Sequence, residues 1–148
     1  MNYVINEWFD EFMIPSAPEA DKARLQAFLR KFYTESSKIV IGRETPFTQK
    51  FYKYFKQYEN DHVFKQRTTK IFHLLFRDDL KTKIVETYEV KHLPPEILAT
   101  LPSSDLYLIE LANTVPDSII VTEDNRLIDA VICNPVVKIM HLDEYISD

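Results

Sequence analysis

Glycine and cysteine are almost missing from this chain. Its 148 residues include one glycine and one cysteine. A single glycine excludes the glycine-rich loops that hold the phosphates of nucleotide cofactors. A lone Cys133 excludes an intramolecular disulfide and a cysteine-rich zinc site, which favours a reducing, cytoplasmic setting. Nucleotide-cofactor enzymes and thiol hydrolases are therefore poor candidates.

Long apolar segments are missing as well. The first residues, MNYVINEWFDEF, carry acids where a signal peptide needs basic residues, and no segment reaches membrane-spanning length. We therefore expect neither secretion nor membrane insertion. The length, with 45% hydrophobic and 28% charged residues, predicts a single soluble domain over residues 1–148.

Charge is unevenly distributed along the chain. The net charge is −5, yet residues 48–84 contain nine lysines and arginines against four acids. A basic surface beside an acidic remainder is typical of a protein that holds a polyanion near a carboxylate-rich centre. The alternative interpretation is that these cations lie on the solvated faces of two helices.

Short apolar runs alternate with helical patterns. Strands are predicted at residues 3–5, in KIVIG, in SIIVT and in VVKIMHL. Capping signals at Ser16, Thr45 and Ser103 predict the starts of three of the intervening helices. This alternation predicts right-handed crossovers. We therefore expect a three-layer α/β/α fold with a mostly parallel sheet of four or five strands and the first strand central.

Acidic and amide side chains follow the predicted strands. Asn6 and Glu7 come after the first strand, Glu44 after the second and Asp124 after SIIVT, while Asp105 opens the preceding helix. In an open parallel sheet, ligands bind beyond the carboxyl ends of the strands, where the strand order reverses. Clustered carboxylate oxygens are ligands that Mg²⁺ or Mn²⁺ prefers. Singly, the three acids other than Glu7 also have a structural explanation as helix caps or partners of a helix dipole.

The second half of the chain resembles one protein family. The segments DLYLIELAN, SIIVTEDNRL and VVKIMHLDEYI are similar to the C-terminal half of PIN-domain proteins. In that family an Asp opens a helix and an apolar strand ends in Thr-x-Asp; those positions are Asp105, Thr122 and Asp124 here. The sequence departs where the family ends its first strand with a metal-binding Asp, because this chain has Asn6 followed by Glu7.

The resemblance implies metal-assisted phosphodiester hydrolysis of RNA. Asp105 and Asp124, with Glu44 or Glu7, would hold one or two Mg²⁺ or Mn²⁺ ions that activate water and neutralise charge on the scissile phosphate. Asn6 would contribute only a neutral oxygen, so metal affinity should fall unless Glu7 compensates. The expected anchors for flanking phosphates are Lys50, Lys53, Arg67 and Lys70.

The sequence leaves two functions open. One is an endoribonuclease, for which the resemblance implies a toxin or defence role and, as partner, an antitoxin-like protein or a second copy of the chain. The other is a PIN-like domain that has lost catalysis and acts as a binding or interaction module. Asn6 is the feature that separates them, because it replaces a charged ligand with a neutral one.

Overall fold

Five parallel strands form the centre of the protein. The computed structural model describes residues 1–147. The strands are β1 (Asn2–Ile5), β2 (Lys38–Gly42), β3 (Thr82–Val85), β4 (Ser118–Thr122) and β5 (Lys138–His141). Their order is β3-β2-β1-β4-β5, and every neighbouring pair is parallel. The predicted α/β fold is therefore confirmed, with β1 central between β2 and β4.

Helices cover both faces of this sheet. They are α1 (Trp8–Met13), α2 (Glu19–Phe32), α3 (Pro46–Gln57), α4 (His62–Phe76), α5 (Pro95–Leu98), α6 (Leu106–Thr114), α7 (Asn125–Cys133) and α8 (Leu142–Ser147). Two 3-10 turns, Thr87–Glu89 and Ser103–Asp105, lie before α5 and α6. Parallel neighbours need such crossover segments because the chain must return to the same end of the sheet before the next strand.

Alternation along the strands divides the core in two. Tyr3 and Ile5 of β1 point to one face, where they pack with aromatic side chains such as Phe28 and Phe51. Val4 points to the opposite face and packs with aliphatic residues, including Leu108 of α6. Because both faces of each central strand are buried, β1, β2 and β4 are almost continuously apolar, as the sequence indicated.

The only glycine lets α3 begin directly after β2. Thr45 caps α3, since its hydroxyl oxygen accepts a hydrogen bond from the Thr48 N–H at 3.4 Å. The Thr48 hydroxyl donates back to the Gly42 carbonyl at 2.6 Å. A Cβ at position 42 would collide with the methyl group of Thr45. A larger residue there would therefore displace the start of α3, the helix that brings Lys50 to the carboxyl edge of the sheet.

The structure differs from the predictions in the segment between β1 and β2. The predicted cap at Ser16 is wrong, because α2 begins at Glu19 after Pro18 and has no side-chain cap. A turn in which the Ala17 N–H donates to the Ile14 carbonyl occupies this segment instead. The six-residue helix α1 was not predicted, since its length is too short for a clear helical period.

Candidate functional site

A polar cleft opens at the point where the strand order reverses. From β1 the chain proceeds to β2 and β3 on one side, and it then returns to β4 and β5 on the other. The cleft has a volume of about 380 Å³. Its lining residues are Asn6, Glu7, Trp8, Glu11, Ser104, Asp105, Glu123 and Asp124. Four predicted site residues, Asn6, Glu7, Asp105 and Asp124, therefore lie in one cavity at the expected edge of the sheet.

Asn6 ties together the ends of the two strands that flank the cleft. Its side-chain amide donates to the Thr122 hydroxyl at 3.0 Å, and its carbonyl oxygen accepts from the Trp8 N–H at 3.2 Å. The Thr122 hydroxyl oxygen also accepts from the Asp124 N–H at 3.1 Å. An asparagine side chain has both the donor and the acceptor that this arrangement uses. An ionised aspartate has acceptors only and could not donate to Thr122. The residue at position 6 thus has a structural role of its own.

Asp124 caps α7 and still presents an oxygen to the cleft. One carboxylate oxygen, Oδ1, accepts from the Arg126 and Leu127 N–H groups at 2.9 and 3.3 Å. Within residues 1–147, the other oxygen has no hydrogen-bond partner. The capping role that the sequence offered as an alternative is therefore present, and it leaves half of the carboxylate available to a ligand.

Asp105 faces Asp124 from the end of the 3-10 turn before α6. Its carboxylate is half-buried, and its hydrogen bond from the Ser104 hydroxyl is long, at 3.5 Å. Burial, followed by the negative charges of Asp124 and Glu7, raises the pKa of Asp105 above its ordinary value. The three carboxylates are thus close enough to repel one another. A cation bound between Asp105 and Asp124 would relieve that repulsion.

The other acids of the cleft are already paired with cations. Lys50 donates to Glu7 at 3.0 Å and to Glu11 at 2.6 Å. Burial would lower the pKa of Lys50, but the hydrogen bonds that it donates to Glu11 and Glu7 raise this pKa above its ordinary value. Glu123 pairs with the Arg24 guanidinium at 3.2 Å. The predicted RNA-binding residue Lys50 is therefore engaged with the cleft in this structure.

Two polar groups that are buried near Glu7 have no hydrogen-bond partner within residues 1–147. Both carboxyl oxygens of Asp10 and the hydroxyl of Tyr107 are buried and make no hydrogen bond within residues 1–147. Burial raises the pKa of Asp10 well above its ordinary value, against the opposing effect of Lys50. No pattern in the sequence indicated Asp10, because it lies among the apolar residues of a six-residue helix.

Glu44 and three of the predicted basic residues lie outside the cleft. Glu44 lines a separate cavity of about 150 Å³, together with Thr87 near the end of β3. The cleft opens between β1 and β4, whereas Glu44 follows β2 on the other side of β1, so Glu44 does not join Asp105 and Asp124. Lys53 is exposed on α3, and Arg67 and Lys70 line a groove between α2 and α4.

The carboxylates suit a hydrated cation better than an all-protein cage. Among residues 1–147, no group of three or more histidine, cysteine, aspartate or glutamate side chains is arranged to hold a metal ion. Mg²⁺ usually keeps several waters and binds through one or two carboxylates together with substrate phosphates. The pair of Asp105 and Asp124, uncompensated and polar, fits that mode of binding.

Comparisons with known proteins add no family assignment. No family model matches the sequence, and searches of curated proteins and of solved structures found no match. The resemblance to PIN-domain proteins therefore stays a prediction. No helix within residues 1–147 is long and apolar enough to cross a membrane.

Proposed function

We propose that this protein is a Mg²⁺- or Mn²⁺-dependent endoribonuclease of the PIN type, with Asp105 and Asp124 as its metal-binding residues. One observation carries the proposal. At the edge of the sheet where α/β proteins bind ligands, these two carboxylates face each other without an ion pair, while Glu7, Glu11 and Glu123 beside them are paired. When bound, the ion would supply an activated water and neutralise charge on the phosphate.

The protein's own residues supply the positions of these ligands. Asp124 is fixed by the two N–H groups that it caps, so its second oxygen keeps one direction. Asn6 holds the β4 end through Thr122. Lys50 pairs with both Glu7 and Glu11 and offsets one of their two negative charges, so Asp105 and Asp124 are left as the two acids without an ion pair. The cleft thus offers a cation one preferred position.

RNA is the substrate class that the resemblance implies. Lys53 is exposed on α3 and makes no ion pair within residues 1–147, so its charge is available to a phosphate. Arg126 is also exposed and lies two residues beyond Asp124, where its charge offsets a small part of the rise in the pKa of Asp105. We assign both to contacts with phosphates next to the scissile bond. Such contacts position the strand and carry no base specificity.

The second candidate function is that of an inactive PIN-like interaction module. Asn6 favours it, because the amide removes a charged ligand and is already used in the hydrogen bonds to Thr122 and Trp8. The ammonium of Lys50 also occupies the side of the cleft where a second cation would otherwise bind. In either function, an antitoxin-like protein or a second copy of the chain remains the expected type of partner.

Cleavage of a mixed RNA pool in Mn²⁺ tests the proposal. The natural protein should cleave, and excess chelator should stop the reaction. Asp124→Asn should abolish cleavage while leaving the metal-free protein equally or more stable, since asparagine caps a helix about as well as aspartate. Asp129→Asn, an exposed position on the same helix, is the matched control and should cleave normally. Metal-independent cleavage, or equal activity of the two variants, would contradict the assignment.

A further inference from the structure

A second cavity of the protein is a groove between α2 and α4, away from the cleft. Its volume is about 600 Å³. Aliphatic side chains from both helices form its floor, and these are Leu25, Leu29 and Ile71. Three cations form its rim: Arg30 on α2, and Arg67 and Lys70 on α4. An apolar floor between two cationic walls is an arrangement that the proposed hydrolysis does not use.

The three rim cations have no partners of their own. Within residues 1–147, Arg30, Arg67 and Lys70 make neither an ion pair nor a side-chain hydrogen bond. Other cations near by are engaged: Arg24 pairs with Asp21, Glu123 and Asp143. With a net charge of −5, most of the chain repels an acidic ligand, whereas this groove attracts one.

Helix α2 separates this groove from the cleft. Arg24 reaches Glu123 on the cleft side of α2. At about 100° per residue, Leu29 and Tyr33 lie roughly 140° and 180° around the helix from Arg24. The groove therefore opens on the opposite side of α2. A single strand of RNA that runs straight out of the cleft would not enter this groove. A ligand of the groove would therefore be distinct from RNA bound in the cleft.

We propose that this groove binds an acidic amphipathic helix of a partner protein. Aliphatic side chains on one face of such a helix would pack on Leu25, Leu29 and Ile71, and flanking carboxylates would pair with the cations on both walls. The lining from α2 and its C-terminal cap runs from Leu25 to Tyr33, which at 1.5 Å per residue is about 12 Å, or two turns of a bound helix. Nucleic acid fits less well, because bases stack on aromatic faces and Tyr33 is the only aromatic residue in the lining.

Peptide binding measured by fluorescence polarisation tests this proposal. The probe is a labelled synthetic helix of about 15 residues, with leucines spaced three and four apart and glutamates on either side. A peptide with lysine in place of every glutamate and a single-stranded oligouridine serve as comparison probes. The acidic peptide should bind the natural protein, the basic peptide should not, and the oligouridine should bind at least about tenfold more weakly.

Two double variants separate the groove from general surface charge. Arg67→Glu with Lys70→Glu should weaken binding of the acidic peptide by at least about tenfold. Lys56→Glu with Lys65→Glu makes the same change in net charge at exposed, unpaired positions outside the groove, and should change binding by less than about twofold. Leu29→Ser should also weaken binding, because it removes part of the apolar floor. Circular dichroism confirms that each variant is folded.

Three outcomes would overturn the proposal. Equal losses in the two double variants would show that peptide binding reports only diffuse charge. Tighter binding of the oligouridine, lost on reversal of Arg67 and Lys70, would make the groove a nucleic-acid surface, as the sequence predicted for these two residues. Absence of acidic-peptide binding to the folded natural protein would leave the groove without its proposed ligand. None of these outcomes depends on RNA cleavage, so the proposal stands or falls separately from the nuclease.

Discussion

The two sides of the cleft carry similar acids in opposite electrostatic states. On the side of α1, Lys50 from α3 pairs with Glu7 and Glu11 at 3.0 and 2.6 Å. On the side of α6 and α7, Asp105 and Asp124 face each other with no ion pair within residues 1–147, and the pKa of Asp105 is raised. Acids therefore become candidate ligands where distant helices fail to neutralise them. The number of acids at the sheet edge does not decide this.

A large change to this comparison should come from adding a charge at position 6. Asn6→Asp places a third carboxylate beside the uncompensated pair, so Mn²⁺ affinity should rise by roughly tenfold, the scale of one added interaction of about 1.4 kcal/mol. Calorimetric titration measures the affinity, and RNA cleavage should rise with it. Asn60→Asp, in an exposed turn, adds the same charge elsewhere and should have no effect.

If Asn6→Asp raises neither affinity nor cleavage, position 6 has only its structural role. The hydrogen bonds to Thr122 and Trp8 would then account for the asparagine completely. In that case, and if the natural protein also fails to bind Mn²⁺, the interaction-module function would replace the nuclease.

A smaller change, in the stability of the protein, should follow when Glu7 and Glu11 lose the cation that pairs with them. Lys50→Gln leaves Glu7 and Glu11 unpaired, so the free energy of unfolding should fall by about 1–2 kcal/mol, the range for partly buried charged hydrogen bonds. Lys53→Gln, three residues along the same helix and without an ion pair, should change it by less than about 0.5 kcal/mol. Urea denaturation measures both. Equal effects would show that the Lys50 ion pairs contribute nothing specific.

The smallest effect concerns the pH dependence of stability. Because burial and then Asp124 and Glu7 raise the pKa of Asp105, the folded protein binds this proton more tightly than the unfolded chain. The contribution of Asp105 to stability is thus fully present below its ordinary pKa of 3.8 and is lost as the pH rises through the raised value. Asp105→Asn lacks this loss, so its stability relative to the natural protein should increase with pH. A constant difference between pH 4 and pH 8 would contradict the coupling.

The sequence predicted four of the five strands, all but β3, and one half of the residues that line the cleft. The apolar runs of β1, β2 and β4 are nearly uninterrupted, so they indicated buried parallel strands, and topology then brought Asn6, Glu7, Asp105 and Asp124 to one edge. These inferences depend only on the apolar runs of the strands and on their parallel direction, and the sequence pattern indicates both.

The pairing of the charges could not be predicted in the same way. Lys50 reaches Glu7 in the cleft from α3, 43 residues farther along the chain. Arg24 reaches Glu123 from 99 residues away. Glu44 was expected at the cleft because it follows a strand, but its strand, β2, lies on the far side of β1. Which charged side chains meet depends on how the helices and strands pack, and the spacing of residues along the sequence does not reveal that packing.

Calorimetric titration with Mn²⁺ tests the difference between the two sides of the cleft most directly. The natural protein should bind the ion, and Asp105→Asn should weaken binding by more than the roughly 10- to 100-fold that loss of an outer-shell partner costs. Glu11→Gln removes a carboxylate from the same cleft, but one that already pairs with Lys50, and should leave the affinity within about threefold. Absence of Mn²⁺ binding to the natural protein, or binding that Glu11→Gln removes and Asp105→Asn does not, would contradict the account.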